Sequence, residues 1–126
     1  MPAPVTETTL RAVLDAFNRH DLDGIMARFA DDAVFESPRG AEPWGTRFVG
    51  KDAVRAGLAK RFEGIPDVHY GADRHYLSAD GTRGVSEWLL TGTTTAGEEL
   101  AVRGCDLWEF ADARIVRKDS YWKRIE

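Results

Sequence analysis

The sequence predicts an α+β fold, in which helices from the first half of the chain pack on one face of an antiparallel sheet from the second half. Apolar residues recur mostly at helical spacing up to residue 62, whereas strand-like runs dominate after residue 66. Short connections join these later runs, which makes successive strands antiparallel neighbours. Helices followed by a meander of strands are typical of the α+β class.

Two amphipathic helices are predicted at the start of the chain. From Thr6 to His20 apolar residues fall at i, i+3, i+4 and i+7, and Thr6 suits the N-cap position. Asp21 likewise suits the N-cap of a shorter helix from Leu22 to Ala30. The apolar stripes are Leu10, Val13, Leu14 and Phe17 in the first helix, and Leu22, Ile25, Met26 and Phe29 in the second.

The middle of the chain predicts a short strand, a loop and a third helix. Residues 33–38 alternate like a strand that Pro38 ends, because proline cannot continue a central ladder. Residues 39–50 are rich in glycine and predict an irregular loop. Residues 51–62 show helical spacing again, with a glycine and a proline shortly afterwards as a stop signal.

Four long strands are predicted in the rest of the chain. They cover residues 67–78, 83–95, 98–110 and 113–125. The short turns between them predict a meander, on which the three helices pack.

Length and composition narrow the possible functions. At 126 residues the chain fits a single domain that spans residues 1–126. Its formal net charge of −4 does not favour a nucleic-acid partner. The N-terminus lacks a basic and an apolar signal region, and no apolar run reaches the roughly 18 residues of a membrane span. We therefore expect a cytoplasmic protein with no nucleic-acid or membrane partner.

The sequence predicts no metal and no cofactor. His69 and His75 lie six residues apart on one strand, a separation of roughly 20 Å that prevents them from sharing an ion. No other spacing of His, Cys or carboxylate residues is typical of a chelating site. Gly50 and Lys51 lack the remainder of a phosphate-binding loop. Cys105, the single cysteine, is interpreted as a small buried hydrophobe.

Asp106 is the strongest candidate for a functional residue. It lies in a predicted strand on whose same face Trp108 and Phe110 follow. Trp122, on the next strand, is expected nearby. A carboxyl group among large aromatic side chains indicates an apolar pocket with a few convergent polar groups.

Other ionisable side chains are predicted near Asp106. Counting back from the turns places Glu87 opposite both His75 and Asp106, and Lys118 opposite Asp106, to within one or two positions. If Glu87 is the close neighbour in an apolar setting, the pKa of Asp106 should rise, and the acid could donate a proton. If Lys118 points inward, the pKa should fall, and the two residues form a structural pair.

Four segments carry a resemblance to a known family. They are NRHDLDGIMARFADDAVFESP (residues 18–38), GKDAVR (50–55), RIV (114–116) and YW (121–122). They resemble the SnoaL-like branch of the nuclear-transport-factor-2-like superfamily, which includes ketosteroid isomerases, polyketide cyclases and limonene epoxide hydrolase. The resemblance implies a cone-shaped curved sheet or barrel, antiparallel or mixed, with three helices over its concave face. It also implies an internal apolar pocket and a homodimer formed through the outer sheet face.

The similarity to ketosteroid isomerase extends to one catalytic position. Asp106 falls where that family keeps a protonated aspartic acid that hydrogen-bonds an oxyanion, and Trp122 falls at an aromatic wall position. Val13 replaces the oxyanion tyrosine, and Ser37 replaces the general-base aspartate, so neither side chain can do its predecessor's work.

The similarity to limonene epoxide hydrolase preserves none of that family's catalytic set. Ser120 falls where it keeps one aspartate, and Trp88 and Leu90 fall where it keeps an arginine and a second aspartate.

The leading hypothesis is a SnoaL-like enzyme that performs isomerase-, cyclase- or lyase-type acid–base chemistry on a hydrophobic carbonyl-bearing or cyclic small molecule. Its predicted catalytic residues are Asp106, Glu87 and His75. Its predicted substrate-binding residues are Ser37, Trp108, Lys118, Ser120, Trp122, Val13 and Phe17.

Two alternatives stay open. The first is a non-catalytic protein of the same fold that binds a hydrophobic small molecule, which the two altered catalytic sets favour. The second is a protein-interaction module, for which the interior should be filled.

Overall fold

The computed structural model describes residues 4–126, which form three helices and six strands. The helices are α1 (Glu7–Asn18), α2 (Leu22–Met26) and α3 (Lys51–Gly64). The strands are β1 (Phe29–Glu42), β2 (Gly45–Val49), β3 (His69–Leu77), β4 (Arg83–Thr93), β5 (Glu99–Ala111) and β6 (Arg114–Trp122). The predicted α+β class is confirmed.

All six strands belong to one curved sheet in the order β2-β1-β6-β5-β4-β3. β3 to β6 form the predicted antiparallel meander, and β1 pairs with β2 in a further antiparallel hairpin. β1 and β6 are parallel, so the sheet is mixed. Because β2 and β3 are edge strands that do not pair with each other, the sheet stays open rather than closing into a barrel.

The two predicted helix caps are confirmed. The backbone nitrogen of Thr9 donates to Thr6 Oγ1 at 3.3 Å, and the backbone nitrogen of Thr6 donates to Thr9 Oγ1 at 3.1 Å. At α2 the backbone nitrogen of Gly24 donates to Asp21 Oδ1 at 3.0 Å. These bonds satisfy N–H groups that the first turn of a helix leaves free.

The helices cover the inner face of the sheet with their apolar stripes. α1 packs on β3, and α3 packs on β1 and β2. The buried stripe of α1 is Leu10, Val13, Leu14 and Phe17, as the spacing predicts. No helix within residues 4–126 has the length and apolar character needed to cross a membrane.

The segment between α2 and α3 differs from the prediction. α2 ends at Met26, and β1 already begins at Phe29 and continues through Pro38 to Glu42. Pro38 is tolerated because the register of β1 against β2 shifts between Ser37 and Glu42, and the pairing of β1 with β6 extends only to Glu36. The predicted loop instead contains β2, which completes a hairpin.

A ladder of charged side chains crosses the outer face of the sheet. Glu36 accepts from Arg47 Nη2 at 2.8 Å and from Arg117 Nε at 3.0 Å. Arg117 also reaches Glu109 at 3.1 Å, and Glu109 lies 3.5 Å from Arg83. These five residues, which we call the outer charge ladder, come from β2, β1, β6, β5 and β4. They therefore link five neighbouring strands.

Glu36 is the buried centre of the outer charge ladder. Its side chain is only 3% exposed, whereas those of Arg47 and Arg117 are about half exposed. Burial raises the pKa of Glu36, but the hydrogen bonds and charges of Arg47 and Arg117 outweigh it and leave the pKa below the ordinary value of 4.5. A carboxylate with a lowered pKa stabilises the fold above its unfolded-state pKa.

Substituting Glu36 by Gln should lower the free energy of unfolding by about 1.5–3 kcal/mol at pH 7, since charge-assisted hydrogen bonds are lost. The difference between the two proteins should shrink below pH 4.5, as the wild-type carboxylate becomes protonated. Urea unfolding at pH 7 and pH 3.5 measures both effects. The exposed Glu42→Gln variant is the control and should show neither effect. A loss for Glu36→Gln that is equal at both pH values would contradict the explanation.

Candidate functional site

A cavity of about 210 Å³ lies between α1, α3 and the inner face of the sheet. Aromatic and polar side chains share its wall. The aromatic ones are Phe17, Phe35, Phe48, Tyr70, Trp88 and Trp122, and the polar or charged ones are Ser37, Thr46, Lys60, Arg61, Lys118 and Ser120. This combination of apolar walls and a few polar groups is typical of small-molecule sites.

Lys118 and Asp106 form a buried ion pair at one wall of the cavity. Lys118 Nζ donates to Asp106 Oδ1 at 2.8 Å, and both residues are almost inaccessible to solvent. Ser120 Oγ donates to the same carboxylate oxygen at 2.5 Å, and Trp88 Nε1 donates to Oδ2 at 3.0 Å. Asp106 thus accepts from three donors, an arrangement that suits a carboxylate.

Three aromatic rings surround the Lys118 ammonium group. Nζ lies 4.8 Å from the ring centre of Phe35, 5.4 Å from that of Phe17 and 5.6 Å from that of Trp108. Burial lowers the pKa of Lys118, and the negative charge of Asp106 opposes this shift only in part. A cation with a lowered pKa that faces a cavity is suited to hydrogen-bond donation and proton transfer.

The predicted approach of Glu87 to Asp106 is wrong, because the register differs by one position. Glu87 pairs with Arg74 and Cys105, and Asp106 pairs instead with Ser86. A shift of one position turns a side chain to the opposite face, so Glu87 points outward. Glu87 would lie opposite Asp106 only if the centre of the β4–β5 turn were half a residue later in the sequence.

The predicted approach of Lys118 to Asp106 is confirmed, although the register differs by two positions. Asp106 pairs with Ser120, and Lys118 pairs with Trp108. A shift of two positions keeps a side chain on its original face. Of the two alternatives for Asp106, the geometry matches the ion pair with Lys118.

His75 belongs to a second buried network beside the first. His75 Nε2 lies 2.7 Å from Asp73 Oδ2, and His75 Nδ1 lies 2.8 Å from Ser86 Oγ. Trp108 Nε1 donates to the same serine oxygen at 3.0 Å. His75 and Ser86 do not line the cavity, and Ser86 is completely buried. The hydrogen bond from His75, more than any other factor, lowers the pKa of Asp73.

The predicted substrate-binding residues lie in different surroundings. Phe17, Ser37, Lys118, Ser120 and Trp122 line the cavity. The other two predicted residues are buried outside its lining: the Val13 side chain belongs to the apolar core, and that of Trp108 forms part of the His75 network.

The cavity residues that the sequence does not predict lie on α3 and on four strands, β1 to β4. Among them, Lys60 and Arg61 line the cavity from α3, and Tyr70 lines it from β3. Arg61 follows the buried Leu58 by three positions, which places the two on one helix face. That spacing is a signal that could have identified Arg61. Within residues 4–126, no three His, Cys, Asp or Glu side chains cluster in a way that could hold a metal ion.

Removing the carboxylate from the Lys118–Asp106 pair should destabilise the protein strongly. Asp106→Asn leaves a buried ammonium group without its counter-charge, at an expected cost of about 3–5 kcal/mol at pH 7. The pKa of Lys118 should fall further below 10.5, so the variant should regain stability as the pH rises towards that value. Urea unfolding at pH 7 and pH 9.5 tests this expectation.

The double variant Asp106→Asn with Lys118→Met should lose less stability than Asp106→Asn alone, because no charge is left buried. The exposed Asp31→Asn substitution controls for the change of one charge. A double variant as unstable as the sum of its single variants would show that the two side chains are not coupled.

The chain is similar in sequence to a protein of known name. Over 80 residues, 64% of the chain, it is 38% identical to the epoxide hydrolase LasB of Streptomyces lasalocidi. The match covers 25% of LasB, so the chain spans about a quarter of the length of this curated relative.

Solved structures share the fold at lower sequence identity. A candidate polyketide cyclase from Pseudomonas putida KT2440 superposes with a TM-score of 0.83 at 20% identity, over 94% of this chain and 92% of that one. RV0760c from Mycobacterium tuberculosis, solved in complex with estradiol-17β-hemisuccinate, gives a TM-score of 0.76 at 23% identity and 90% coverage of both chains. The sequence profile of the SnoaL-like domain matches residues 10–118. The chain therefore belongs to the SnoaL-like domain family.

Proposed function

We propose that this protein is an enzyme that performs acid–base chemistry on a hydrophobic carbonyl-bearing or cyclic small molecule. The observation that supports the proposal is the Lys118–Asp106 pair, whose ammonium group reaches a cavity with aromatic walls. Relatives named as an epoxide hydrolase and a candidate polyketide cyclase support the same class of chemistry. Both reactions would develop negative charge on a substrate oxygen.

Lys118 is the proposed catalytic residue. Its Nζ would donate a hydrogen bond to the carbonyl or ring oxygen of the substrate and stabilise the charge that forms there. Burial favours this role, because it lowers the pKa of Lys118 and strengthens electrostatic interactions in the site.

Asp106 is proposed as a positioning residue rather than the proton donor. Its two oxygens already accept from Lys118, Ser120 and Trp88, and it does not line the cavity. The carboxylate would hold the ammonium group in place and keep it protonated. Ser86 on the neighbouring strand β4, and His75 on β3 beyond it, would support the site through Trp108.

A non-catalytic binding protein is the second candidate function. One observation favours it: among residues 4–126, the side chains that line the cavity include no carboxylate that could act as a general base. A bound ligand that is recovered unchanged from both the wild-type protein and Lys118→Met would support this alternative.

Lys118→Met should lower kcat by about 10²–10⁴-fold, the range that general acid–base groups contribute. A panel of cyclic ketones, enones and epoxides, followed by mass spectrometry, would first identify a substrate. Lys123→Met, at an exposed position just after β6, is the control and should retain full activity. Asp106→Asn should also lose activity. Unchanged turnover in Lys118→Met would rule out the proposed role.

The pH profile of kcat provides a second test. A protonated Lys118 would be required, so activity should fall as the pH rises through its pKa, and this fall should lie below pH 10.5.

A homodimer formed through the outer sheet face and a cytoplasmic location both stay predictions. Light scattering would test the first, and cell fractionation the second.

A further inference from the structure

The charges around the cavity are of one sign. Lys60, Arg61 and Lys118 line it, and no Asp or Glu is among its lining residues in the described chain. The carboxylate of Asp106 lies behind Lys118 and neutralises that cation. A positively charged cavity in a chain of net charge −4 is not a consequence of overall composition.

Arg61 is a half-buried cavity cation that has no carboxylate partner within residues 4–126. Lys60, which forms no salt bridge there either, is exposed. Within residues 4–126, Arg11, Arg47, Arg55 and Arg117 each pair with a carboxylate, but Arg61 forms no salt bridge. Burial lowers the pKa of Arg61, an effect that the nearby Tyr70 partly opposes. A partly buried guanidinium group without a counter-charge is unfavourable, and an anionic ligand would remove this cost.

The position of Arg61 is fixed by a tryptophan. Its guanidinium carbon lies 4.4 Å from the ring centre of Trp122, which also lines the cavity. Stacking uses the face of the guanidinium group and leaves the N–H groups at its edge for hydrogen bonds. A planar carboxylate can accept two such bonds at once.

The volume of the cavity indicates how large a part of a ligand it can enclose. About 210 Å³ is below the range of about 300–1,000 Å³ that is typical of sites for drug-sized ligands. The aromatic walls suit a flat apolar body of one or two rings.

We propose that the natural substrate is a small amphipathic acid, whose carboxylate pairs with Arg61 while its one or two rings lie between the aromatic walls. This inference rests on the proposed function for the reactive end, which would face Lys118. Arg61 is then the residue that selects acids over neutral molecules of the same shape. The chemistry at Lys118 and the selection at Arg61 are separate tasks of one cavity.

The experiment compares two probes of nearly equal shape, 2-naphthoate and the neutral 2-naphthamide, at pH 7.5. Titration calorimetry or quenching of tryptophan fluorescence measures both dissociation constants. The wild-type protein should bind naphthoate at least tenfold more tightly than naphthamide. Arg61→Met should lose this preference and keep its affinity for naphthamide.

Two further variants control for charge and folding. Arg55→Met, on the same helix but paired with Asp23 outside the cavity, removes one positive charge and should leave the preference intact. Arg61→Lys preserves the charge without the two-pronged geometry, and its preference should be intermediate. Circular dichroism would confirm that each variant is folded.

Three outcomes would overturn the inference: equal binding of the two probes by the wild-type protein, a preference that survives in Arg61→Met, or no binding of either probe at millimolar concentration. The two proposals fail separately. Turnover that depends on Lys118 in a protein without the acid preference would overturn only the role of Arg61. An Arg61-dependent preference in a protein whose turnover does not depend on Lys118 would overturn only the proposed function.

Discussion

The buried charge of Lys118 is the constraint on which the interior depends. An ammonium group removed from water is stable only when a carboxylate and further hydrogen bonds replace its hydration. Asp106 and Ser120 provide these contacts from β5 and β6, and Trp88 binds the second carboxylate oxygen from β4. Three adjacent strands must therefore keep this register, because a slip of one position would turn these side chains to the opposite face and leave the charge without its partners.

The network of His75, Ser86 and Trp108 also holds the register of β4 against β5. Ser86 on β4 pairs directly with Asp106 on β5. Its Oγ accepts a hydrogen bond from Trp108 Nε1 and is within hydrogen-bond distance of His75 Nδ1. The indole of Trp108 thus has one edge in the histidine network and its face near Lys118. A site whose walls are held by such bonds keeps its donors in place before a ligand arrives, which lowers the reorganisation needed during a reaction.

Helical spacing, cap residues and short turns were enough to predict the helices, the meander and the inward face of Asp106. The site was harder to predict, because hairpin counting depends on half-residue differences in the turn. The β5–β6 turn is centred a full residue later than predicted, which keeps Lys118 on the correct face. The half-residue difference in the β4–β5 turn is enough to turn Glu87 outward. β2 and the length of β1 were missed because a bulge makes room for Pro38. The spacing from Leu58 places Arg61 on the inner helix face, but its contact with Trp122 and its lack of a carboxylate partner within residues 4–126 depend on three-dimensional contacts.

The position of β6 between β1 and β5 also has a consequence for how the chain folds. The parallel join to β1 brings together residues more than 80 positions apart, such as Phe35 and Lys118, so much of the loop-closure entropy is lost in that one step. Until β6 inserts, β1 and β5 both present open edges, and a nascent chain could pair with other chains there. Formation of the Lys118–Asp106 pair must wait for the same event, so the reactive centre and the closure of the sheet mature together.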